Sequence, residues 1–302
     1  MSFFTVLVNP ILPVFAILAL GWGLGKGGQL SEESARTINR FAMTVLVPIV
    51  VLDLLWNAPF DTFRLTPILL YSAAQIGLFA LGYQLARRLF GAGPGESVVL
   101  GYAGIFANNV FYGLPIGVLL YGEGGVLPIT MVVVLDSTVS FGGTMFVLQA
   151  IKLGKVSPGS VLAIFARTPT LLAIFGGTAL GLAGVPVPAP LQTFLDFNGV
   201  AAAPVALFSL GVVLSAVAFR FDTAVAVVSA IKLVLFPALV ALLLTLFAGG
   251  WEANRLFVFA AAPPTGAMAM SLALLYDVPA ARVAQVMVWT AFLSLFALAV
   301  LA

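Results

Sequence analysis

The sequence predicts an all-α integral membrane protein: ten transmembrane helices in two inverted five-helix repeats, with the fourth and ninth helices broken at corresponding positions. Three observations lead there. The chain has 302 residues, of which 62% are hydrophobic and 8% charged, whereas average soluble domains carry about 25% charged residues. Near-continuous apolar stretches recur from end to end, leaving no room for a separate soluble domain. The two halves also match one another at a nearly constant offset.

A bilayer core of about 30 Å asks for about 20 apolar residues of helix. Stretches of that kind, delimited by charges or by Pro and Gly, fall at 4–25, 38–56, 66–88, 98–120, 126–151, 161–183, 191–218, 223–247, 255–276 and 281–301. The first lies within "MSFFTVLVNPILPVFAILALGWGLG", which lacks a basic n-region and a clear cleavage site, so it reads as a retained helix and not a signal peptide. The connections are short. Alternating sides from the N-terminus, one side collects Lys26, Arg36, Arg40, Arg87, Arg88, Lys152, Lys155, Arg167, Arg220 and Arg282, and the other only Arg64 and Arg255. Basic loops stay in the cytoplasm. Both termini are therefore expected on the non-cytoplasmic side of the cell's inner (plasma) membrane.

At a shift of 156, Pro13 falls on Pro169, Gly21 and Gly25 on Gly177 and Gly181, and Pro48 on Pro204. At 155, "LLYG" (119–122) meets "LLYD" (274–277). Residues 1–154 and 155–302 then form two repeats. Each holds an odd number of spans, so the two must be oppositely oriented. Inverted repeats mark many secondary transporters, with the substrate site near the midplane where the repeats meet.

The stretch "IFANNVFYGLPIG" (105–117) interrupts the fourth span with its most hydrogen-bond-hungry residues. Pro115 lacks an N–H and clashes with the carbonyl of Phe111, which predicts a kink or unwinding just before it, eased by Gly113. Unpaired backbone in hydrocarbon costs several kcal/mol, on the order of a lost buried hydrogen bond or more, so it survives only inside protein or beside a watery cavity. Asn108, Asn109 and Tyr112 bring polar groups to the same depth. Shifted by 155, the two asparagines land on Pro263 and Pro264 in "FAAAPPTGAMAM", which predicts a matching break in the ninth span. Thr265, Gly266 and Ser271 follow. Paired breaks at corresponding positions point to a transporter binding site. The half-helix N-termini there offer N–H groups and partial positive charge to an anion.

"ANNVFYGLPIG" resembles the fourth-helix signature of the auxin efflux carrier family, an Asn followed by Gly-x-Pro. "LDFNGVAAAPVALFSLGVVLS" resembles that family's seventh helix. The likeness in layout covers the whole chain, which is similar to the short bacterial carriers without a long central loop. The resemblance implies two inverted five-helix repeats, broken fourth and ninth helices at the substrate site, and transport of organic mono- or dicarboxylates, with Asn109 at the family's Asn. It also implies an elevator motion with helices 1, 2, 6 and 7 as scaffold and helices 3–5 and 8–10 as the transport part, and a homodimer through the scaffold. Asn-Asn-Val-Phe-Tyr stands here where many relatives have Asn-Thr-Gly-Phe-Leu, a departure at the site itself.

Four ionisable residues lie within spans. Asp53 and Asp196 sit near outer helix ends, within reach of water. Asp136 and Lys232 lie roughly 15 Å deep at 1.5 Å rise per residue. A charge there costs about 2.5–3.5 kcal/mol or more and needs a partner. One reading is a buried Asp136–Lys232 pair holding a domain together. The other has Lys232 attracting the substrate carboxylate and Asp136 serving as proton-linked partner. Gln75 occupies nearly the equivalent place in the third span. Gly21/Gly25 and Gly177/Gly181 have the small-xxx-small spacing of close helix approach.

The implied activity is secondary transport of a small organic acid in the lipid bilayer, with a passive anion channel as the alternative. A net charge of +2 calls for no nucleic acid, and Cys and His are both absent. An intramembrane enzyme would therefore need a carboxylate dyad such as Asp53 with Asp136, neither of which lies in a matching motif. A retinal-type receptor built on Lys232 disagrees with ten spans. Nothing resembles a P-loop, and nothing calls for a cofactor or a metal.

Overall fold

A computed structural model describes residues 3–122, 126–153, 169–217 and 220–301. Lys155, Arg167, the first eight residues of the sixth expected span and the junction between the expected repeats lie outside the described residues. The described residues are helical apart from connections and one isolated β-bridge.

The helices are α1 Leu12–Lys26, α2 Glu32–Trp56, α3 Leu65–Leu89, α4 Pro94–Ala103, α5 Asn109–Tyr121, α6 Leu127–Lys152, α7 Pro169–Leu182, α8 Ala189–Ala216, α9 Thr223–Phe247, α10 Arg255–Ala261, α11 Met268–Leu275 and α12 Ala281–Leu301. Six of them, α2, α3, α6, α8, α9 and α12, are long and apolar enough to cross a membrane. The fourth expected span is the pair α4 and α5, and the ninth is α10 and α11. Helix α2 begins six residues before its expected apolar start, because Ser31 caps it by accepting from the Ser34 N–H at 3.1 Å. Glu32 and Glu33 occupy its first turn, where the helix dipole favours negative charge.

Prolines shape these helices in a regular way. The π turns Leu7–Ile11, Ala42–Leu46, Asn109–Gly113 and Ile231–Leu235 each end two residues before a proline: Pro13, Pro48, Pro115 and Pro237. A proline inside a helix clashes with the carbonyl four residues back and offers it no N–H. A π turn widens the backbone there and re-pairs the carbonyls, so the helix runs on with a local bulge. The fifth π turn, Asp136–Phe141 in α6, has no proline after it.

The chain divides into two compact units. One comprises the described residues within 14–63 and 156–216, that is α1 from residue 14, α2, α7 and α8. Small residues set its packing. A Cβ on Gly21 would strike the Phe208 backbone, one on Gly25 would strike Ser215, and one on Gly211 would strike the Leu18 backbone. Gly177 and Gly181 lie as closely against Leu52, Leu55 and Trp56 of α2. Near the end of α2, Gln192 donates to Asp53 at 2.9 Å and to Asp196 at 2.7 Å, and Asn57 donates to Asp53 at 2.8 Å.

The other unit comprises the described residues within 1–13, 64–155 and 217–302, that is the N-terminal turns, α3–α6 and α9–α12. Helices α3 and α4 meet at Gly82 and Gly101, where a Cβ on Gly101 would lie 2.9 Å from the Phe79 carbonyl oxygen. Arg282 at the start of α12 ties two helix starts together, reaching Glu96 of α4 at 3.2 Å and Asp222, the N-cap of α9, at 3.4 Å. Arg64 reaches Asn254 at 3.4 Å, and its neighbour Arg255 lies 4.8 Å over the Tyr121 ring.

Candidate functional site

Between α4 and α5 the chain leaves the helix over 104–108, and between α10 and α11 over 262–267. The two stretches cross within one unit. Ala107 pairs with Thr265 in an isolated antiparallel bridge. The Asn108 N–H donates to the Pro264 carbonyl at 2.9 Å, and the Gly266 N–H to the Phe106 carbonyl at 3.2 Å. Backbone that would be unpaired in each helix alone is thus paired across the crossing, which lets both breaks sit at depth.

Side chains complete the capping of the helix ends. Thr265 Oγ1 donates to the Ala103 carbonyl at 2.8 Å, closing the C-terminus of α4, while its own N–H donates to Thr290 Oγ1 at 3.1 Å. At the C-terminus of α10, Asn109 Nδ2 donates to the Ala260 carbonyl at 3.0 Å and Tyr71 to the same oxygen at 3.3 Å. Lys232 Nζ donates to the Ala261 carbonyl at 2.6 Å, and its ammonium stands 5.3 Å from the Phe236 ring. A fully buried cation at the end of a helix meets the carbonyl end of the dipole, the favourable pole for positive charge.

The opposite ends are open. Among the described residues the N–H groups of Val110 and Phe111, at the start of α5, and of Ala267 and Met268, at the start of α11, have no acceptor. Asn108 Nδ2 and Asn109 Oδ1 also have none, although the side chains are only 5% and 2% exposed. A half-helix ends in four carbonyls and begins with four N–H groups that lack intrahelical partners. Here the carbonyl ends carry side-chain caps and the N–H ends do not. The uncapped groups give the crossing a net donor character.

The acidic residue lies beside this layer. Asp136, 3% exposed in its π turn, accepts from Gln75 Nε2 at 2.5 Å through Oδ1, and Ser140 donates to Gln75 Oε1 at 2.9 Å. Asp136 Oδ2 has no partner. No ion pair within 4.0 Å joins Asp136 to Lys232 among the described residues. Lys232 acts on Asp136 from a distance, and Gln75 is the side chain that donates to it. The reading of one tight buried pair is therefore replaced: each charge is held by neutral dipoles, the lysine by a backbone carbonyl and the aspartate by an amide.

Of the residues singled out from sequence, Asn108, Asn109, Pro263, Pro264, Thr265 and Gly266 form the crossing, and Asp136 and Lys232 flank it. Pro115 is not where the chain unwinds. It lies inside α5, two residues past the π turn Asn109–Gly113 that accommodates it, and the unwinding lies upstream at 104–108. Gly113 serves a neighbour: a Cβ there would strike the Asn109 side chain. Tyr112 is buried in the same π turn. Ser271 bonds its own helix at the Ala267 carbonyl, 3.3 Å away, and takes no part in the crossing.

Tyr71, Thr290 and the Tyr102–Phe106 stack, with ring centroids 4.7 Å apart, were not singled out. A tyrosine and a threonine in the middle of apolar spans were the available signal for the first two. Asn109, Asp136 and Lys232 each sit in a π turn. Such bulges often occur at functional sites.

A family model described as "Membrane transport protein" matches residues 6–302. The chain is 26% identical to a protein named "Putative malonate transporter" from Rhizobium meliloti, over 78% of this chain and 76% of that one. It is 27% identical to an uncharacterized transporter of Methanothermobacter thermautotrophicus over 95% of each chain. It is 26% identical to the uncharacterized transporter YfdV of Escherichia coli over 77% of this chain and 76% of that one.

Proposed function

Since the chain belongs to the membrane transport protein family, the auxin efflux carrier family, we propose that it is a secondary carrier of a small organic carboxylate bound where α5 and α11 begin. One observation carries this reading: at the crossing the carbonyl ends of the broken helices are capped by Thr265, Asn109, Tyr71 and Lys232, while the N–H ends are bare. Bare N–H groups with the positive ends of two dipoles attract an anion and repel a cation. Asn108 Nδ2 adds a buried donor without a partner. A carboxylate's two oxygens accept several such bonds at once, and charge-assisted bonds are the stronger kind. The malonate in the name of the Rhizobium relative agrees in chemistry.

The remaining parts of the reading are an arrangement of two inverted repeats, 1–154 and 155–302, with both termini outside the cytoplasm, and alternating access by an elevator-type motion. The transport part would be helices three to five and eight to ten, and the scaffold helices one, two, six and seven, meeting a second copy through the scaffold. What supports the division is that α1 from residue 14, α2, α7 and α8 fall in one compact unit and α3–α6 with α9–α12 in the other, although the N-terminal turns through Pro13 go with the latter.

The test uses purified protein in proteoliposomes. Labelled malonate should accumulate transiently against its gradient when the vesicles hold unlabelled malonate, and Asn108→Ala should weaken this counterflow while the protein still folds. A passive anion channel would equilibrate the label without counterflow. Failure of malonate and of a panel of other small carboxylates to shift the melting temperature would remove the carboxylate assignment, since a bound ligand stabilises by mass action.

A further inference from the structure

Of the five π turns among the described residues, four are forced by the sequence and one is not. Those at Leu7–Ile11, Ala42–Leu46, Asn109–Gly113 and Ile231–Leu235 each end two residues before a proline. The place two residues past Asp136–Phe141 belongs to Gly143. With no proline to accommodate, α6 has no need of a bulge, because the regular ladder of i to i−4 bonds is open to it. Something outside α6 must therefore keep this turn wide.

One side chain touches both ends of it. Gln75 Nε2 donates to Asp136 Oδ1 at 2.5 Å, at the first residue of the turn. Gln75 Oε1 accepts from Ser140 Oγ at 2.9 Å, near the last. Gln75 and Asp136 are both buried, so water does not compete for the amide. The helix behind it is a firm base: α3 runs unbroken from Leu65 to Leu89 and packs closely on α4 at Gly82. Residues four apart share a helix face, and four before Gln75 stands Tyr71, bonded to the Ala260 carbonyl at 3.3 Å. One face of α3 thus holds the end of α10 and the turn in α6. Within α6, local hydroxyls assist, Thr138 donating to the Val134 carbonyl at 2.7 Å and Thr144 to that of Ser140 at 2.7 Å.

We propose that Gln75 is a positioning residue: by bridging Asp136 and Ser140 it holds the π turn of α6 open and so keeps the Asp136 carboxylate beside the crossing. The effect on transport rests on the carrier reading, and the hold on the turn does not. Without the bridge α6 closes to a regular helix, and the one-residue change of register turns Asp136 by roughly 100° relative to the residues after the turn. The carboxylate then leaves its place near Asn109 and Lys232.

The other four turns show a second way to hold this one. A proline at position 143 would stand to Asp136–Phe141 as Pro115 stands to Asn109–Gly113. There is room for it: a Cβ on Gly143 meets nothing within 4 Å, and the residue lines a cavity of about 260 Å³ between α3 and α6. In the open turn the Val139 carbonyl, four residues back, already takes the Gly142 N–H and needs none from 143. In a closed helix the proline ring would clash with that carbonyl. Gly143→Pro therefore suits the open form and rejects the closed one.

Two structures and a rescue test this. A structure of Gln75→Met should show regular α-helix over 136–141, and one of Gln75→Met with Gly143→Pro should show the π turn again. A π turn that persists in Gln75→Met overturns the proposal without reference to any substrate. In proteoliposomes Gln75→Met should slow malonate counterflow about tenfold or more, the scale of a misplaced group at a reacting or binding site. Adding Gly143→Pro should restore most of the rate although it returns no hydrogen bond. Gly143→Pro alone should transport like the wild type, and its failure to do so overturns the geometry assigned to the turn. A Gln75→Met defect that the proline does not relieve means that Gln75 acts by direct contact, which overturns the positioning role. Should Gln75→Met fail to fold, Ser140→Ala cuts only one of the two bonds; its smaller loss should also be reversed by Gly143→Pro, and a loss not reversed overturns the proposal. A wild type without any malonate flux overturns the substrate reading, the two structures still deciding the turn.

Discussion

Gly266 illustrates how tightly the crossing is specified residue by residue. A Cβ on it would enter the Phe106 ring, which is itself stacked on Tyr102. Gly266→Ala must displace that stack or the backbone pair formed with Phe106, and overpacking of this kind costs about 1–3 kcal/mol. The expected outcome is a lowered melting temperature in detergent together with weaker counterflow. The same crowding explains what could be read from the residues in order. Asn108, Asn109, Pro263 and Pro264 are conspicuous because amides and prolines are expensive in an apolar span, so their position was legible. The partners of Lys232 and Asn109 were not, because they are the carbonyls of Ala260 and Ala261, and a backbone carbonyl has no signature in sequence. An Asp136–Lys232 pair was one of the two readings open when only side chains could be counted.

At the scale of the helix, the π turns ahead of Pro13, Pro48, Pro115 and Pro237 convert a packing nuisance into side-chain aim. Ile231–Leu235 holds Lys232 against the Ala261 carbonyl, and Pro237 is what makes the bulge necessary. Pro237→Ala removes the clash, and proline costs about 3 kcal/mol relative to alanine within a helix. The bulge is then free to close to a regular helix. Closing it shifts the register by one residue, a rotation of roughly 100° for Lys232. Transport should fall while thermal stability holds or rises, a combination that simple loss of structure does not give. The prolines themselves were legible, and so was the clash each must create. What the chain does about it was not: Pro115 was expected to kink or unwind the fourth span just before it, and it is the π turn Asn109–Gly113 that lies there and absorbs its effect, while the unwinding lies before Asn109. There the break is stabilised by partners 150 residues and more away, such as Thr265 with Ala103 and Asn109 with Ala260, beyond the reach of any local pattern.

For the molecule as a whole, the crossing belongs to one compact unit, so the proposed elevator-type cycle would carry it intact without opening it. The chain has no cysteine, which makes this testable with two substitutions. Ala107 and Thr265 face each other in the antiparallel bridge, and directly opposed residues lie about 4.5–5.5 Å apart at Cα, a span a disulfide tolerates. Ala107→Cys combined with Thr265→Cys should transport equally well oxidised and reduced. Loss of transport on oxidation alone would mean that the two broken helices separate during the cycle. Composition and charge made the membrane class plain from the outset, whereas the segregation of helices into two units depends on glycine contacts, Gly21 on Phe208 and Gly82 on Gly101 among them, whose pairing no single stretch announces. The allocation of oxygens at the crossing has one more effect. A sodium ion arriving there would find the carbonyls of Ala103, Ala260 and Ala261 already committed to hydroxyl, amide and ammonium hydrogens, which leaves Asn109 Oδ1 and Asp136 Oδ2 as the uncommitted oxygens among the described side chains of this layer, too few for a full coordination shell, and uptake is expected to proceed undiminished when choline replaces sodium in the medium.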